Sequence, residues 1–266
     1  MKFALKTIAG IAACIAVSVM VSSCPGKKPS QCRKPDYVDA MTEQAVAFYK
    51  RGNYIEALKA AKEAEQCEPD DPKLYYWLGL IYYQKDKPYV AVDYLKKSIE
   101  NDPGYFESRM ALGMIYLDLQ KYDDAIEQFQ MAADNDYFPR LYEAYNSMGW
   151  AYYKKNDLAK AEEYFKKSID QKKNYCIAYN NLGQVYADKN QSDKAIYNYR
   201  TAISLCPKNY ARPHLLLGIE YGKRGYYNKA CEEFRTAASI KNAPEKEKAM
   251  DYMRLYNCPG VAHPPR

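Results

Sequence analysis

Near its middle the chain reads Tyr145-Asn146-Ser147-Met148-Gly149-Trp150-Ala151-Tyr152-Tyr153, an apolar run in which a glycine precedes a tyrosine by three residues. Two further segments repeat this arrangement, Tyr75-Tyr76-Trp77-Leu78-Gly79-Leu80-Ile81-Tyr82-Tyr83 and Tyr179-Asn180-Asn181-Leu182-Gly183-Gln184-Val185-Tyr186. Recurrence at a fixed interval is the sequence signature of a repeat architecture. The run therefore predicts one unit of a repeat protein.

Six such units extend outward from this run, most of them 34 residues long: 38–71, 72–105, 106–139, 142–175, 176–209 and 211–244. Every unit has an alanine at one aligned position in its second half, namely Ala57, Ala91, Ala125, Ala161, Ala195 and Ala230. The glycine occurs in all units except the first, where Ala45 replaces it. Apolar residues in the first half of a unit recur at i, i+3, i+4 and i+7, which indicates one face of a helix. Each unit is thus predicted to be a pair of helices.

This pattern resembles the tetratricopeptide repeat, in which Trp-x-x-Leu-Gly-x-x-Tyr is followed by an alanine, an aromatic residue and a proline. Pro69, Pro103 and Pro207 match the terminal proline. The resemblance implies an all-α fold, a right-handed α-solenoid of six helix pairs, because one pair buries its apolar face only by stacking on a neighbour. Residues 245–256 are predicted to form a C-terminal capping helix, and residues 257–266 an irregular tail.

The composition argues against catalysis and against nucleic-acid binding. The formal charge is +6, including Lys2 and Lys6 of the leader described below, and acidic and basic residues alternate along the chain, so no basic stripe for nucleic acid is expected. The only histidines are His214 and His263, and no phosphate-binding, zinc-protease or serine-hydrolase motif is present. We expect no catalytic residues, cofactor, metal site or small-molecule substrate.

The N-terminus reads as a targeting segment. Residues 1–23 are predicted to be a signal peptide, since two lysines precede an apolar run from about Ile8 to Val21 that is short for a membrane span. The small residues before Cys24 resemble a bacterial lipobox, which implies that Cys24 becomes the first mature residue and carries acyl chains such as palmitate. Residues 24–37 are then expected to be a flexible tether. An ordinary signal peptide or an uncleaved anchor is the alternative.

The residue after the lipobox cysteine helps to determine which membrane of the cell envelope holds a lipoprotein. In the lipoproteins of Gram-negative bacteria an aspartate there favours retention in the inner membrane, whereas this chain has Pro25. The resemblance therefore implies a lipid-anchored protein of the bacterial cell envelope, at the outer membrane and facing the periplasm.

Six cysteines follow the predicted lipidation site: Cys32, Cys67, Cys176, Cys206, Cys231 and Cys258. Disulfide bonds persist in proteins that are exported from the cytoplasm. Antiparallel helices would bring the ends of the fifth unit together, which favours a bond between Cys176 and Cys206. Proximity and repeat phase favour Cys32–Cys67 and Cys231–Cys258 as the other pairs. Buried free thiols, which pack as small apolar residues, are the alternative.

Positions 5, 9 and 12 of each unit form a second stripe on its first helix, which in tetratricopeptide proteins lines a concave groove that binds peptides. In units two to four it consists of Tyr76, Leu80, Tyr83, Met110, Met114, Leu117, Asn146, Trp150 and Tyr153. At position 5 the outer units have Thr42, Asn180 and Leu215. Tyrosine, tryptophan and methionine are typical of interface cores, so a protein partner is expected in this groove. The alternative is that neighbouring helices cover the stripe.

The lipobox, tether, six units and cap together are similar to the PilF/PilW/Tgl group of outer-membrane lipoproteins, and the junction Tyr137-Phe138-Pro139-Arg140 resembles that group's step between its third and fourth units. The resemblance implies a protein–protein interaction scaffold that assists assembly of the type IV pilus secretin. Two other functions remain open: an adaptor for peptidoglycan enzymes or outer-membrane protein assembly, and a structural lipoprotein that self-associates.

Overall fold

The computed structural model describes Cys32 and residues 36–135 and 138–260. The predicted leader 1–23, Cys24, Tyr137 and His263 lie outside the described residues, as does most of the predicted tether. All regular secondary structure in the described residues is helical. Over the same residues no helix is both long and apolar enough to cross a lipid bilayer.

The described helices form six consecutive pairs followed by one more helix. The pairs are α1 (Tyr37–Lys50) and α2 (Tyr54–Cys67), α3 (Pro72–Gln84) and α4 (Pro88–Asn101), α5 (Phe106–Asp118) and α6 (Tyr122–Ala133), α7 (Leu141–Lys154) and α8 (Leu158–Gln171), α9 (Cys176–Asp188) and α10 (Ser192–Leu205), and α11 (Arg212–Lys223) and α12 (Tyr227–Ser239). The last helix is α13 (Lys246–Leu255).

The predicted fold of helix pairs with a terminal helix is confirmed. Each helix packs mainly on the helix before it and the helix after it, as expected of a solenoid. Small differences occur at the ends of elements. Tyr37, the last residue of the predicted tether, belongs to α1, and α7 begins at Leu141, one residue before the predicted fourth unit.

The turn between the two helices of a pair has the same backbone form in every unit. The residue at position 15 of each unit lies in this turn and has a positive φ. These residues are Gly52, Asp86, Gln120, Asn156, Asn190 and Gly225. This left-handed conformation ends the first helix and reverses the chain, and glycine and asparagine adopt it at low cost. The conformation recurs in every unit although the residue type varies.

The recurring glycine allows the two helices of a pair to approach closely. A Cβ atom added to Gly149 would lie 2.7 Å from Cδ1 of Phe165, which is fully buried on the second helix. Four other units have the same arrangement, with Gly79 on Leu95, Gly113 on Phe129, Gly183 on Tyr199 and Gly218 on Phe234. In the first unit the corresponding residues are Ala45 and Ala61, both fully buried. A larger residue on one helix is thus matched by the absence of a side chain on the other.

The thirteenth helix covers the end of the solenoid. Ala249 and Met253 are buried, and the ring of Tyr252 stacks on Phe234 of α12 with centroids 5.2 Å apart. Tyr256 also packs on Phe234 and fills the space beside Gly222. These contacts bury apolar surface that the sixth pair would otherwise expose to water.

The structure brings the six cysteines together in the three predicted pairs. The Cα atoms are 5.2 Å apart in Cys32–Cys67, 5.3 Å apart in Cys176–Cys206 and 5.5 Å apart in Cys231–Cys258, and each pair is joined by a disulfide bond. Two of these bonds lie at the ends of the solenoid, where a repeat has a neighbour on one side only.

Replacing Cys231 and Cys258 by serine should lower the free energy of unfolding by about 3 kcal/mol, because the unfolded chain gains the freedom of a loop that the bond closes. Urea unfolding of the two proteins measures the difference. Peptide mass spectrometry without reduction should identify the three linked peptide pairs. Equal stability with and without dithiothreitol would show that the cysteines are free thiols.

Glu162 on α8 joins the fourth unit to the fifth. Its carboxylate accepts hydrogen bonds from Lys166, 2.6 Å away on the same helix, and from Lys189 (2.6 Å) and Tyr186 (3.0 Å) of the next unit. Burial by itself opposes ionisation, but these three donors outweigh it and lower the pKa of Glu162 to about 2. The ionised carboxylate is therefore the form that stabilises the contact between the units.

A Glu162→Gln variant should lack the part of the folding stability that the parent protein loses as the pH falls. A carboxyl whose pKa is depressed in the folded state adds stability above its unfolded pKa, near 4.5, and loses that stability as the pH falls through about 2. We expect the variant to be less stable by about 2 kcal/mol at pH 7 and equal to the parent near pH 2. Thermal unfolding between these pH values measures the effect.

The neighbouring Glu163 provides the matched control. It pairs with Lys167 across one helical turn, and its side chain is 56% exposed. Glu163→Gln should change stability far less, since exposed pairs of this kind contribute little. A constant difference between Glu162→Gln and its parent at all pH values would contradict the assignment.

Candidate functional site

A groove runs across the first helices of the second to sixth units. It consists of two adjoining clefts of about 360 and 290 Å³. Both clefts contact Met114, Asn146, Ser147 and Ile177, so they form one continuous surface. We call this surface the central groove and define it by six side chains that line it: Tyr76, Met110, Met114, Asn146, Trp150 and Ile177.

The structure places most of the predicted stripe in the central groove. The predicted residues that line it are Tyr76, Met110, Met114, Leu117, Asn146 and Trp150. Leu117 contributes little surface, because it is only 8% exposed and packs in the core. The predicted residues Leu80, Tyr83 and Tyr153 line neither cleft.

Two of these tyrosines connect consecutive units instead. The hydroxyl of Tyr83 donates to the carboxylate of Asp118 in the next unit. In the same way Tyr153 donates to Asp188 over 2.6 Å, and its oxygen accepts from Gln184 over 3.0 Å. Burial and the hydrogen bond to Asp188 raise the pKa of Tyr153 to about 12. In units two and four, position 12 therefore serves the stacking of the units, which its place in the stripe did not indicate.

The floor of the central groove is apolar and partly open to solvent. Met114 is 48% exposed and Ile177 is 37% exposed. Trp150 stacks on Tyr153 with ring centroids 5.1 Å apart, so the contact with Tyr153 fixes the plane of the indole. An exposed apolar floor that is held in place by its own packing is suited to bind another protein.

Charged side chains bound the groove at both ends. Near Tyr76, Arg140 lies 3.5 Å from Glu107 and 3.2 Å from Glu143. At the other end Arg212 donates to Oε1 of Gln184 over 3.1 Å, and its guanidinium carbon lies 5.7 Å from the ring centroid of Trp150. These groups provide polar contacts on either side of the apolar floor.

Several of these residues were not found from the sequence. Glu107, Glu143, Ile177 and Arg212 occupy position 2 of their units, one helical turn before position 5. Residues at i and i+3 share a face of a helix, so extension of the stripe by one turn would have included them. Arg140, Tyr175 and Tyr210 come from the segments that connect consecutive helix pairs, for which the helical periodicity makes no prediction.

The stripe does not remain open along the whole solenoid. At position 5, Thr42 is 1% exposed, Asn180 is fully buried and Leu215 is 4% exposed. The stripe is therefore covered at position 5 of these three units. The stripe residues that line the central groove belong to units two to four, and the groove extends to Ile177 of unit five and Arg212 of unit six.

Another cavity, larger than either cleft of the groove alone, is lined by residues of α8, α9 and α10 and has a volume of about 550 Å³. Its wall includes Lys166, Asp170, Lys194 and Tyr197, and it draws on only two units. The described residues contain no cluster of histidine, cysteine or carboxylate side chains that could hold a metal ion. Among the described surfaces, the central groove is the one to which the most units contribute.

Comparison with protein families identifies the repeats. Two family models of the tetratricopeptide repeat match residues 110–175 and 176–209. A third match, anaphase-promoting complex, cyclosome, subunit 3, covers residues 50–132. The Hsp70-Hsp90 organizing protein 2 of Arabidopsis thaliana is 26% identical over 102 residues, which cover 38% of this chain and 18% of that protein.

Two proteins of type IV pilus systems are also similar. The type IV pilus assembly protein PilF of Pseudomonas aeruginosa is 20% identical over 136 residues, so the match spans 51% of this chain and about half, 54%, of PilF. The solved structure of P. aeruginosa pilF covers 82% of this chain and 98% of its own, with a TM-score of 0.69 at 16% identity. The structure of PilW, described as a widely conserved type IV pilus biogenesis factor, covers 80% of this chain and 98% of its own, with a TM-score of 0.71 at 18% identity. The chain therefore carries tetratricopeptide repeats, and it is similar in sequence to PilF and in fold to both PilF and PilW.

Proposed function

We propose that the chain is a non-catalytic, lipid-anchored scaffold of the bacterial cell envelope that binds a protein segment in the central groove and assists assembly of a type IV pilus secretin. The observation that carries the proposal is the partly exposed apolar floor at Met114, Trp150 and Ile177, which lies between charged residues. The similarity to PilF and PilW supports the pilus system.

The chemistry of the groove defines the segment that it accepts. Met114 and Ile177 offer an apolar surface, and Met114 adapts its shape because its side chain is unbranched and flexible. Arg212 beside Trp150 supplies a cation above an aromatic face. The bound segment therefore presents one or two large apolar side chains, with a polar or acidic group near the Arg212 end.

The proposed anchor explains how such a scaffold acts. Acyl chains on Cys24 hold the solenoid at the periplasmic leaflet of the outer membrane, since two or more chains anchor a protein stably. A groove held at that surface concentrates its partner where the partner must insert and oligomerise. Mass spectrometry that finds an unmodified Cys24 in the mature protein would contradict this part of the proposal.

A photo-crosslinking residue at Met114 tests the groove directly. In cells that assemble pili, we expect it to capture the secretin subunit, identified by mass spectrometry of the crosslinked band. The matched control is the same residue at Tyr197, which is 68% exposed on α10 and lies outside the groove. Capture of a peptidoglycan enzyme or of an outer-membrane assembly subunit without secretin would favour the adaptor function. Capture of a second copy would favour self-association, and no capture would reject the groove.

A further inference from the structure

Apolar and basic residues lie together in the helix-connecting turns of the first two units. Ile55 is 70% exposed, Tyr89 is 67% exposed and Val90 is 37% exposed, each in the first turn of a second helix. Arg51 and Lys87 are exposed in the turns just before them. We call Arg51, Ile55, Lys87, Tyr89 and Val90 the turn patch. Ile55 and Tyr89 occupy the same position of consecutive units, so the repeat places them on the same edge of the solenoid.

The two edges of these units differ in charge. The turns inside the units, residues 50–53 and 84–87, contain four basic residues and one acidic residue. The turns that follow the units, residues 68–71 and 102–105, contain four acidic residues and no basic residue. Within the described chain, the four basic residues make no ion pair within 4 Å. The edge that carries the exposed apolar side chains is therefore the edge that attracts anions.

The patch ends sharply at the third unit. The corresponding turn there leads into Asp123 and Asp124, both exposed, and Asp123 pairs with Lys155 of the fourth unit. An anionic surface that attracts the first two turns would repel this one. The patch is thus restricted to the part of the solenoid next to the N-terminus.

We propose that the turn patch rests on an anionic phospholipid surface. Aromatic and aliphatic side chains flanked by lysine and arginine are the composition that binds at a membrane interface, and basic residues near anionic headgroups add attraction that salt weakens. The proposal rests on the envelope location given above but not on the partner of the central groove. It adds a second contact with the membrane, beside the lipid on Cys24.

The length of the tether permits this arrangement. The chain from Cys24 to Cys32 spans at most ~28 Å when extended. Cys32 is bonded to Cys67 at the end of α2, whereas the turn patch lies at the opposite end of the helices. A helix of 14 residues, such as α1, is ~21 Å long. Acyl chains on Cys24 therefore reach the bilayer plane on which the turn patch would lie.

Vesicle flotation with an unlipidated protein tests the contact. The protein would consist of residues 24–266 with Cys24→Ser, which retains every residue that the structure describes. We expect it to float with vesicles of phosphatidylglycerol and phosphatidylethanolamine at low salt, and not with phosphatidylcholine vesicles. Combined Ile55→Ser, Tyr89→Ser and Val90→Ser changes should weaken binding about tenfold, because they remove the apolar contact. Arg51→Glu with Lys87→Glu should do the same and remove the salt dependence.

The matched control is Tyr197→Ser, which removes an equally exposed ring from α10 and should leave flotation unchanged. Undiminished binding by both patch variants would overturn the proposal, and so would equal binding to neutral vesicles. A parent that does not float but sediments as a dimer, which the patch variants abolish, would assign the patch to a second copy. A groove variant such as Trp150→Ala should still float. Such a result would show that membrane binding by the turn patch does not depend on partner binding in the central groove.

Discussion

Replacing Phe165 by alanine should lower the free energy of unfolding by about 3–5 kcal/mol, the range found when a buried phenylalanine is truncated. Its ring is fully buried and lies against the backbone of α7 at Gly149. No neighbouring side chain can fill the space from the glycine side, so the cavity remains. Urea unfolding followed by circular dichroism measures the loss.

The same contact predicts that the effect of Gly149→Ala on the free energy of unfolding has opposite signs in the parent and in the Phe165→Ala protein. In the parent the new Cβ would lie 2.7 Å from the Phe165 ring, and overpacking of this kind costs about 1–3 kcal/mol. In the Phe165→Ala protein the ring is absent, and alanine improves helix propensity by up to about 1 kcal/mol. Gly149→Ala should therefore destabilise the first protein and stabilise the second.

The first unit supplies the control, since it already has Ala45 opposite Ala61, both fully buried. The doubly substituted fourth unit would reproduce that pair. Ala45→Gly should cost about 1 kcal/mol, mainly through helix propensity. Equal effects of Gly149→Ala in both backgrounds would show that the glycine is not required by the ring.

The second large effect concerns binding. A Met114→Ala, Trp150→Ala protein should lose capture of the groove partner by at least about 30-fold, because truncation of a central aromatic anchor often costs 2 kcal/mol or more. The two side chains lie in one cleft, and circular dichroism of the variant checks that its helices are retained. Pulldown or fluorescence anisotropy with the segment that crosslinks to position 114 measures the affinity.

The structure changes the best choice of residues for this experiment. Tyr83 and Trp150 both belong to the predicted stripe, but the Tyr83 hydroxyl donates a hydrogen bond to Asp118 of the next unit. Its removal would test the stacking of units as well as the groove. Ile55→Ala with Tyr197→Ala, which removes two exposed side chains outside the groove, is the control. Retained binding by the Met114, Trp150 variant would reject the groove as the partner site.

The fold was predictable because two local signals repeat in phase. The apolar spacing around Gly149 predicts a helix, and the recurrence of that spacing predicts its partners. In the first unit Ala45 and Ala61 take the places that Gly149 and Phe165 occupy in the fourth. Ala45 fits without a glycine there because the residue that faces it, Ala61, is also small. Such compensation joins positions sixteen residues apart, which helical periodicity does not consider.

The site was less predictable, because one stripe serves two purposes. Met114 and Trp150 line the groove, whereas Tyr153 on the same stripe bonds to Asp188. A periodic pattern reports which face of a helix a residue occupies but not how far the next unit covers that face. Asn180 shows the consequence, since it shares the position of Asn146 yet is fully buried.

The bond between Cys32 and Cys67 has a mechanical consequence. Force applied along the polypeptide from its N-terminal side passes from Cys32 through the bond to Cys67, at the end of α2. Without the bond, the same load would peel α1 away one turn at a time, since a terminal helix has a neighbour on one side only. With it, α1 and α2 lie inside the closed loop and do not carry the load. A protein held by its N-terminus while a partner pulls on its groove is thereby protected against unravelling from the attached end.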